Sequence, residues 1–155
     1  MRAYFDAIFF SLVVVRDADK YILVEERELD GGTAWYLPAG GVKPGEDFLG
    51  AAVRETREEA GIIIEPLGLL GADQILVEDG QTTKIRIVFL GKMVGGSLKT
   101  SLDKESVRAA WFRPDEMRNL RLRDDEVLEW IDVAEKLRGC TLPLLTCYNR
   151  SRPSA

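Results

Sequence analysis

The chain contains no histidine. That absence removes Ser-His-Asp and Cys-His catalysis, histidine-bearing zinc sites and a histidine general base, so acid–base work must fall to carboxylates, lysine, tyrosine or metal-bound water. Cysteine is nearly as scarce. Cys140 and Cys147 are too few and too near the end to frame a disulfide network in 155 residues, and neither has a partner at zinc spacing. Both thiols read as ordinary residues, and a reducing, cytoplasmic setting is expected.

Long apolar runs are missing too. The stretch from Ala7 to Val15 follows Asp6 and is closed by Arg16 and Asp17, too short to span a membrane as a helix, so it reads as a buried strand. The start shows neither the basic opening nor the small-residue cleavage site of a signal peptide, and no membrane association is expected. Positive charge is in deficit, with 21 Lys and Arg against 26 Asp and Glu and a net charge of −5. An extended nucleic-acid surface needs a basic stripe, so no nucleic acid polymer is expected as partner, whereas a small polyanion bridged through Mg²⁺ is compatible. Internal repeats and linkers are also lacking. With 46% hydrophobic residues, one core is expected in a single domain over residues 1–145, with residues 146–155 as a flexible tail.

What is present alternates strand and helix signals. Tyr4 to Val15 and Tyr21 to Glu26 read as strands joined by a turn at Arg16 to Lys20. Ile62 to Leu70, Gln74 to Glu78, Thr82 to Met93 and Val107 to Phe112 read as further strands, with Ile85, Ile87 and Phe89 inward. Pro114 opens a helical turn, and Asp124 to Arg138 has helical periodicity through Val127, Leu128, Ile131, Ala134 and Leu137. Several strands with only two substantial helices predict an α/β fold, a mixed sheet between helical layers.

The other helix carries the chemistry. Between the turn residues Pro44-Gly45 and the stop at Gly61, nothing from Asp47 to Ala60 breaks a helix. At about 100° per residue, Glu55, Glu58 and Glu59 project within roughly a third of the circumference. Like charges four residues apart destabilise a helix, so something must neutralise this stripe. Leu49, Val53, Thr56 and Ala60 are assigned to the sheet-packing face opposite it, and the small Ala51 and Ala52 flank the acids. Mg²⁺ takes oxygen ligands and is typically held by a few carboxylates together with substrate phosphates. Arg54, next to Glu55, is placed to orient that carboxylate through a charge-assisted bond.

The segment from Gly40 to Ile62 resembles the Nudix box, G-x5-E-x7-R-E-U-x-E-E-x-G-U, where U is a bulky apolar residue. Gly40, Glu46, Arg54, Glu55, Glu58, Glu59 and Gly61 fill its fixed positions and Ile62 its last U, while Thr56 replaces the other apolar residue. At ~7% usage per position, seven chance matches have a probability on the order of 10⁻⁸. The resemblance implies an α/β/α sandwich with a mixed β-sheet and a Mg²⁺-dependent hydrolase, with Mn²⁺ as a substitute, cleaving a phosphoanhydride of a nucleoside di- or triphosphate to release a monophosphate.

By the same resemblance Glu55 and Glu59 are the main metal ligands, with Glu58, the backbone carbonyl of Ala39 and the loop acid Glu105 as further ligands. Arg54, Glu55, Glu58, Glu59 and Glu105 form the catalytic set, and the general base stays open among Glu55, Glu58 and Glu105. Glu46 either caps the helix, pairs with an arginine or touches metal. Trp35-Tyr36-Leu37-Pro38-Ala39-Gly40, Gly95 to Thr100 and Ala109-Ala110-Trp111 resemble a subgroup acting on nucleoside diphosphates with oxidised purines. Trp35, Tyr36, Gly40, Asp124 and Asp125 are the substrate-binding candidates, although Asp124 and Asp125 equally read as helix caps and the two aromatics as core. Nucleoside diphosphate sugars, including ADP-ribose, are the alternative substrates, a non-catalytic nucleotide sensor is the alternative class, and a homodimer is a possible assembly.

Overall fold

The computed structural model describes residues 6–78, 80–104 and 106–145. The expected tail over residues 146–155, Cys147, Tyr4 and Glu105 lie outside them. Two long strands form the centre: β1 (Asp6–Asp17) and β6 (Thr82–Gly96) run parallel, from Asp6 beside Thr82 to Val15 beside Gly91. Among the described residues the other strand-to-strand pairings are antiparallel. β1 turns back into β2 (Lys20–Arg27), β2 pairs with β3 (Thr33–Tyr36) and with β7 (Arg108–Phe112), β4 (Ala39–Gly41) lies along β1, and β5 (Ile62–Leu76) flanks β6.

Helices cover both faces. Odd residues of β1, Val13 and Val15, join Ile22, Val24, Ala52 and Phe89 on the side of helix α1 (Phe48–Ala60). Even residues, Leu12 and Val14, join Tyr21, Leu23, Val88 and Leu90 beneath helix α3 (Glu126–Lys136), after the short helix α2 (Pro114–Met117). A strand buried on both faces reads as a continuous apolar run rather than an alternation. Leu-Val-Val-Val at 12–15 is such a run. The fold is therefore the expected α/β/α sandwich on a mixed sheet.

Three local expectations change. The apolar segments before and after Gly71 form one strand, β5, because irregularities at Ile63/Ile64, Pro66/Gly68 and Leu69/Gly71 carry the ladder past residues that break the pattern. On β6, Phe89 is fully buried, but its even-numbered neighbours Arg86 and Val88 are buried as well, since α3 covers that face. On α1 the assignment of faces is corrected: Ala51, Ala52, Glu55, Thr56, Glu59 and Ala60 are buried, while Leu49 and Val53 are only half-buried. The alanines bring the helix close to the sheet and take two of the three acids inward with them. No helix among the described residues is long and apolar enough to cross a membrane.

Candidate active site

Helix α1 is fixed at both ends. Asp47 caps it by accepting from the Gly50 N–H at 2.7 Å, and Gly61 closes it in the left-handed conformation at φ 78°, donating to the Arg57 carbonyl. Between these caps the acidic side chains lie under β4. A Cβ at Gly40 would overlap the Glu55 carboxylate, so glycine there lets the strand cross directly above the acid. Glu59 Oε2 accepts the Ala39 N–H at 2.9 Å.

Arg54 ties the arrangement together with all five of its N–H donors. Nε and Nη2 form a bidentate pair with Glu46, both at 2.8 Å. Nη2 also donates to the Gly41 carbonyl at 2.9 Å, and Nη1 donates to Glu55 and, at 3.2 Å, to Glu58. The Arg54–Glu55 bond that an orienting role needs is therefore present. Glu46 takes the arginine-pairing role and also accepts the Lys43 N–H at 3.1 Å; chiefly through the Arg54 bonds, its carboxyl is held down to about 2.

The inner acids behave oppositely. Burial pushes the Glu59 carboxyl up to about 9, with the neighbouring charges of Glu26 and Glu55 adding to the shift. Glu55 is also raised by burial, against the opposing pull of Arg54. Both are about nine-tenths buried; Glu55 shares Arg54 with Glu46 and Glu58, whereas Glu59 has no ion pair among the described residues. Carboxylate oxygens are hard donors suited to a divalent ion such as Mg²⁺. Among the described residues no three acidic or thiol side chains already converge as a metal cage, since Arg54 draws Glu55 and Glu58 to itself.

Loop residues latch onto the end of α1. Ser106 Oγ donates to the Glu59 carbonyl at 2.7 Å, and Lys99 Nζ reaches the Glu58 carbonyl and pairs with Asp103 at 2.8 Å. A cavity of about 300 Å³ lies beside this loop, with Glu26, Ala39, Glu59 and Arg123 in its wall. Glu26 is 8% exposed, and burial raises its carboxyl while Arg123 opposes the rise.

A second cavity of about 290 Å³ lies beyond β4, with Tyr36, Gly40, Lys84, Arg86, Asp124 and Glu126 in its wall. Its floor is a polar network. Arg86 donates from Nε to Asp73 at 2.7 Å and from Nη1 to Glu126 at 2.6 Å and Tyr36 Oη at 3.1 Å, with further bonds from Nη2 to both acids, while Tyr36 Oη donates to Glu126. Trp35 points elsewhere, into the core edge-on to Phe112 at 4.8 Å. Asp124 accepts the Glu126 N–H at 3.0 Å and so performs the capping; Asp125 occupies the cap position without a side-chain bond.

Sequence reasoning missed Glu26, Arg86, Arg123 and Glu126. No local signal was available for Arg86, which alternates with the inward-read Ile85 and Ile87 and is buried because α3 covers that face.

The site is thus a carboxylate-bearing helix tucked beneath a glycine-bearing strand of an α/β/α sandwich, with Glu59 buried and outside any ion pair among the described residues. Residues 9–131 match the NUDIX domain model, and the chain belongs to the Nudix hydrolase family. It is 38% identical over 128 residues to the human 8-oxo-dGDP phosphatase NUDT18, covering 81% of this chain but 38% of that protein, so it spans well under half of its curated relative. An ADP-ribose pyrophosphatase of Methanocaldococcus jannaschii is 28% identical over 75% of this chain and 68% of its own length. A Nudix hydrolase structure from Nitrosomonas europaea superposes with a TM-score of 0.81 at 33% identity, covering 94% of this chain and all of that one.

Proposed function

We propose that the chain hydrolyses the phosphoanhydride of nucleoside diphosphates bearing oxidised purines, using Mg²⁺ and water and releasing a nucleoside monophosphate and inorganic phosphate. The observation that carries this is the buried pair Glu55 and Glu59 under β4, where one guanidinium is shared among Glu46, Glu55 and Glu58 and Glu59 has no ion pair among the described residues. The name of the human relative, an 8-oxo-dGDP phosphatase, supports the diphosphate and the oxidised base.

Glu55 and Glu59 would hold the ion, with Glu58, the Ala39 carbonyl and Glu105 as the remaining candidate ligands. Bound there, Mg²⁺ supplies charge neutralisation for the diphosphate. Arg54 keeps the Glu55 carboxylate aimed, with Glu46 and the Gly41 carbonyl as its own anchors. Burial disfavours the charged form of Glu59, and a cation bound beside it would favour that form. Glu58, with its side chain 37% exposed, is the acid open to incoming solvent and positions the attacking water. In the second cavity Asp124 offers an acceptor and Lys84 a donor to the edge of a base.

The test is a Mg²⁺ assay over canonical and oxidised purine nucleotides, nucleotide sugars and dinucleotides, with products resolved. Monophosphate and inorganic phosphate, formed fastest from oxidised purine diphosphates, is the expected result. A sugar phosphate as the main product moves the substrate to nucleoside diphosphate sugars, and no turnover of any nucleotide removes the proposal.

A further inference from the structure

Among the described residues, the two cavities beside β4 have only Ala39 and Arg123 in common in their walls. One contains the buried Glu26 and Glu59; the other contains Tyr36, Lys84 and Asp124. A ligand reaching from the acids of α1 into the second cavity passes between the Ala39 backbone and the Arg123 side chain.

Arg123 is held in that place from several sides. Its N–H donates to the Trp35 carbonyl and the Trp35 N–H donates to the Arg121 carbonyl, both at 2.9 Å, which stitches residues 121–123 to β3. Its Nε donates to Glu28 at 2.9 Å, Nη2 pairs with Glu26, and Cζ lies 5.3 Å from the centre of the Tyr36 ring. These anchors fix the guanidinium plane before any ligand arrives. The side chain still keeps 39% exposure, and among the described residues Nη1 makes no hydrogen bond. A guanidinium serving only to balance Glu26 and Glu28 has no need to border both cavities.

We propose that Arg123 is a substrate-binding residue that takes an oxygen of the sugar–phosphate junction through Nη1, with Glu26 and Glu28 holding it in register. The inference rests on the nucleoside diphosphate reading above and adds a contact at the middle of that substrate. A charge-assisted bond at that point is made in the ground state and transition state alike, so its loss raises KM and spares kcat. Because the junction is common to all nucleotides, the loss is uniform across bases.

The experiment compares wild type with Arg123→Gln, Glu28→Gln and, as a control whose side chain lines neither cavity and pairs with Asp30, Arg121→Gln. Steady-state kinetics use a purine and a pyrimidine nucleoside diphosphate, and calorimetry follows guanosine monophosphate binding to the metal-free protein. Arg123→Gln is expected to raise KM about tenfold or more for both substrates and to weaken monophosphate binding equally, with kcat within about twofold. Glu28→Gln, which loosens the guanidinium without removing it, gives a smaller rise in the same direction, and Arg121→Gln gives none. Unchanged KM and binding in a folded Arg123→Gln protein overturn the proposal, as does a rise confined to one base, which would make Arg123 a base reader. A wild type that neither binds nor cleaves nucleotides removes the underlying function instead, so the two failures are distinguishable.

Discussion

The two sides of β4 are built on opposite plans. On the α1 side, one arginine and its acidic neighbours come from a single stretch, Glu46 to Glu59, and every partner of the Arg54 side chain lies within thirteen residues. On the α3 side, Tyr36, Asp73, Arg86 and Glu126 meet from four separate elements, with Arg86 and Glu126 forty residues apart. On the first side Glu59 is buried without an ion pair among the described residues; on the second both acids pair with Arg86. An uncompensated buried charge awaits a ligand, whereas a compensated one gives shape. Chemistry is thus expected from α1, and fit from the α3 side.

The most severe break in this contrast is Glu59→Gln. It keeps volume and the capacity to accept the Ala39 N–H but removes the negative oxygen, and kcat is expected to fall by about 10³-fold or more with the melting temperature held or raised. Retained turnover in that variant would place the metal elsewhere. Gly40→Ala follows. Its methyl collides with the Glu55 carboxylate, so one to two orders of magnitude in kcat are expected to go, of the scale seen when a reacting group moves by about 1 Å. A KM effect alone would show that Gly40 serves the base side only.

The same contrast explains what was legible in the sequence. The spacing of Glu55, Glu58 and Glu59 identified the acidic stripe because a helix converts local spacing into angle. Its direction was misassigned because Leu49 and Val53 looked like the buried face, and hydrophobicity alone ignores how closely Ala51 and Ala52 let a helix approach a sheet. The joined strand β5 was hidden by Pro66 and Gly71, which irregular pairing accommodates. The α3 side was least legible, since no local pattern states that Arg86 will face Glu126 across forty residues, and strand alternation placed Arg86 outward.

Arg86→Met sharpens the comparison from the other side. Removing the guanidinium leaves Asp73 and Glu126 unpaired in a mostly buried setting, so a loss of about 3 kcal/mol is expected, a drop in melting temperature of roughly 10 °C. Below that temperature kcat should stay within about tenfold of wild type while preference among bases changes. A kcat collapse equal to that of Glu59→Gln would erase the division between the two sides.

Glu46→Gln has the smallest expected effect and tests the outer edge of the α1 side. The folded carboxyl of Glu46 sits at about 2, below its ordinary value of 4.5, because Arg54 stabilises the charged form. A depressed carboxyl stabilises the fold above the unfolded value, and that contribution fades as pH falls from about 4.5 toward 2. Wild type should therefore lose stability more steeply than Glu46→Gln over this window, and the two melting curves should converge at its acid end. At neutral pH the variant should melt a few degrees lower, in keeping with about 1 kcal/mol for a partly exposed bidentate pair. Arg54 keeps its bonds to the Gly41 carbonyl, Glu55 and Glu58 in that variant, so kcat should fall less than tenfold. Parallel acid melting curves for the two proteins would mean that Arg54 does not hold Glu46 in solution, and that Glu55 is oriented by its burial under Gly40 rather than by the arginine.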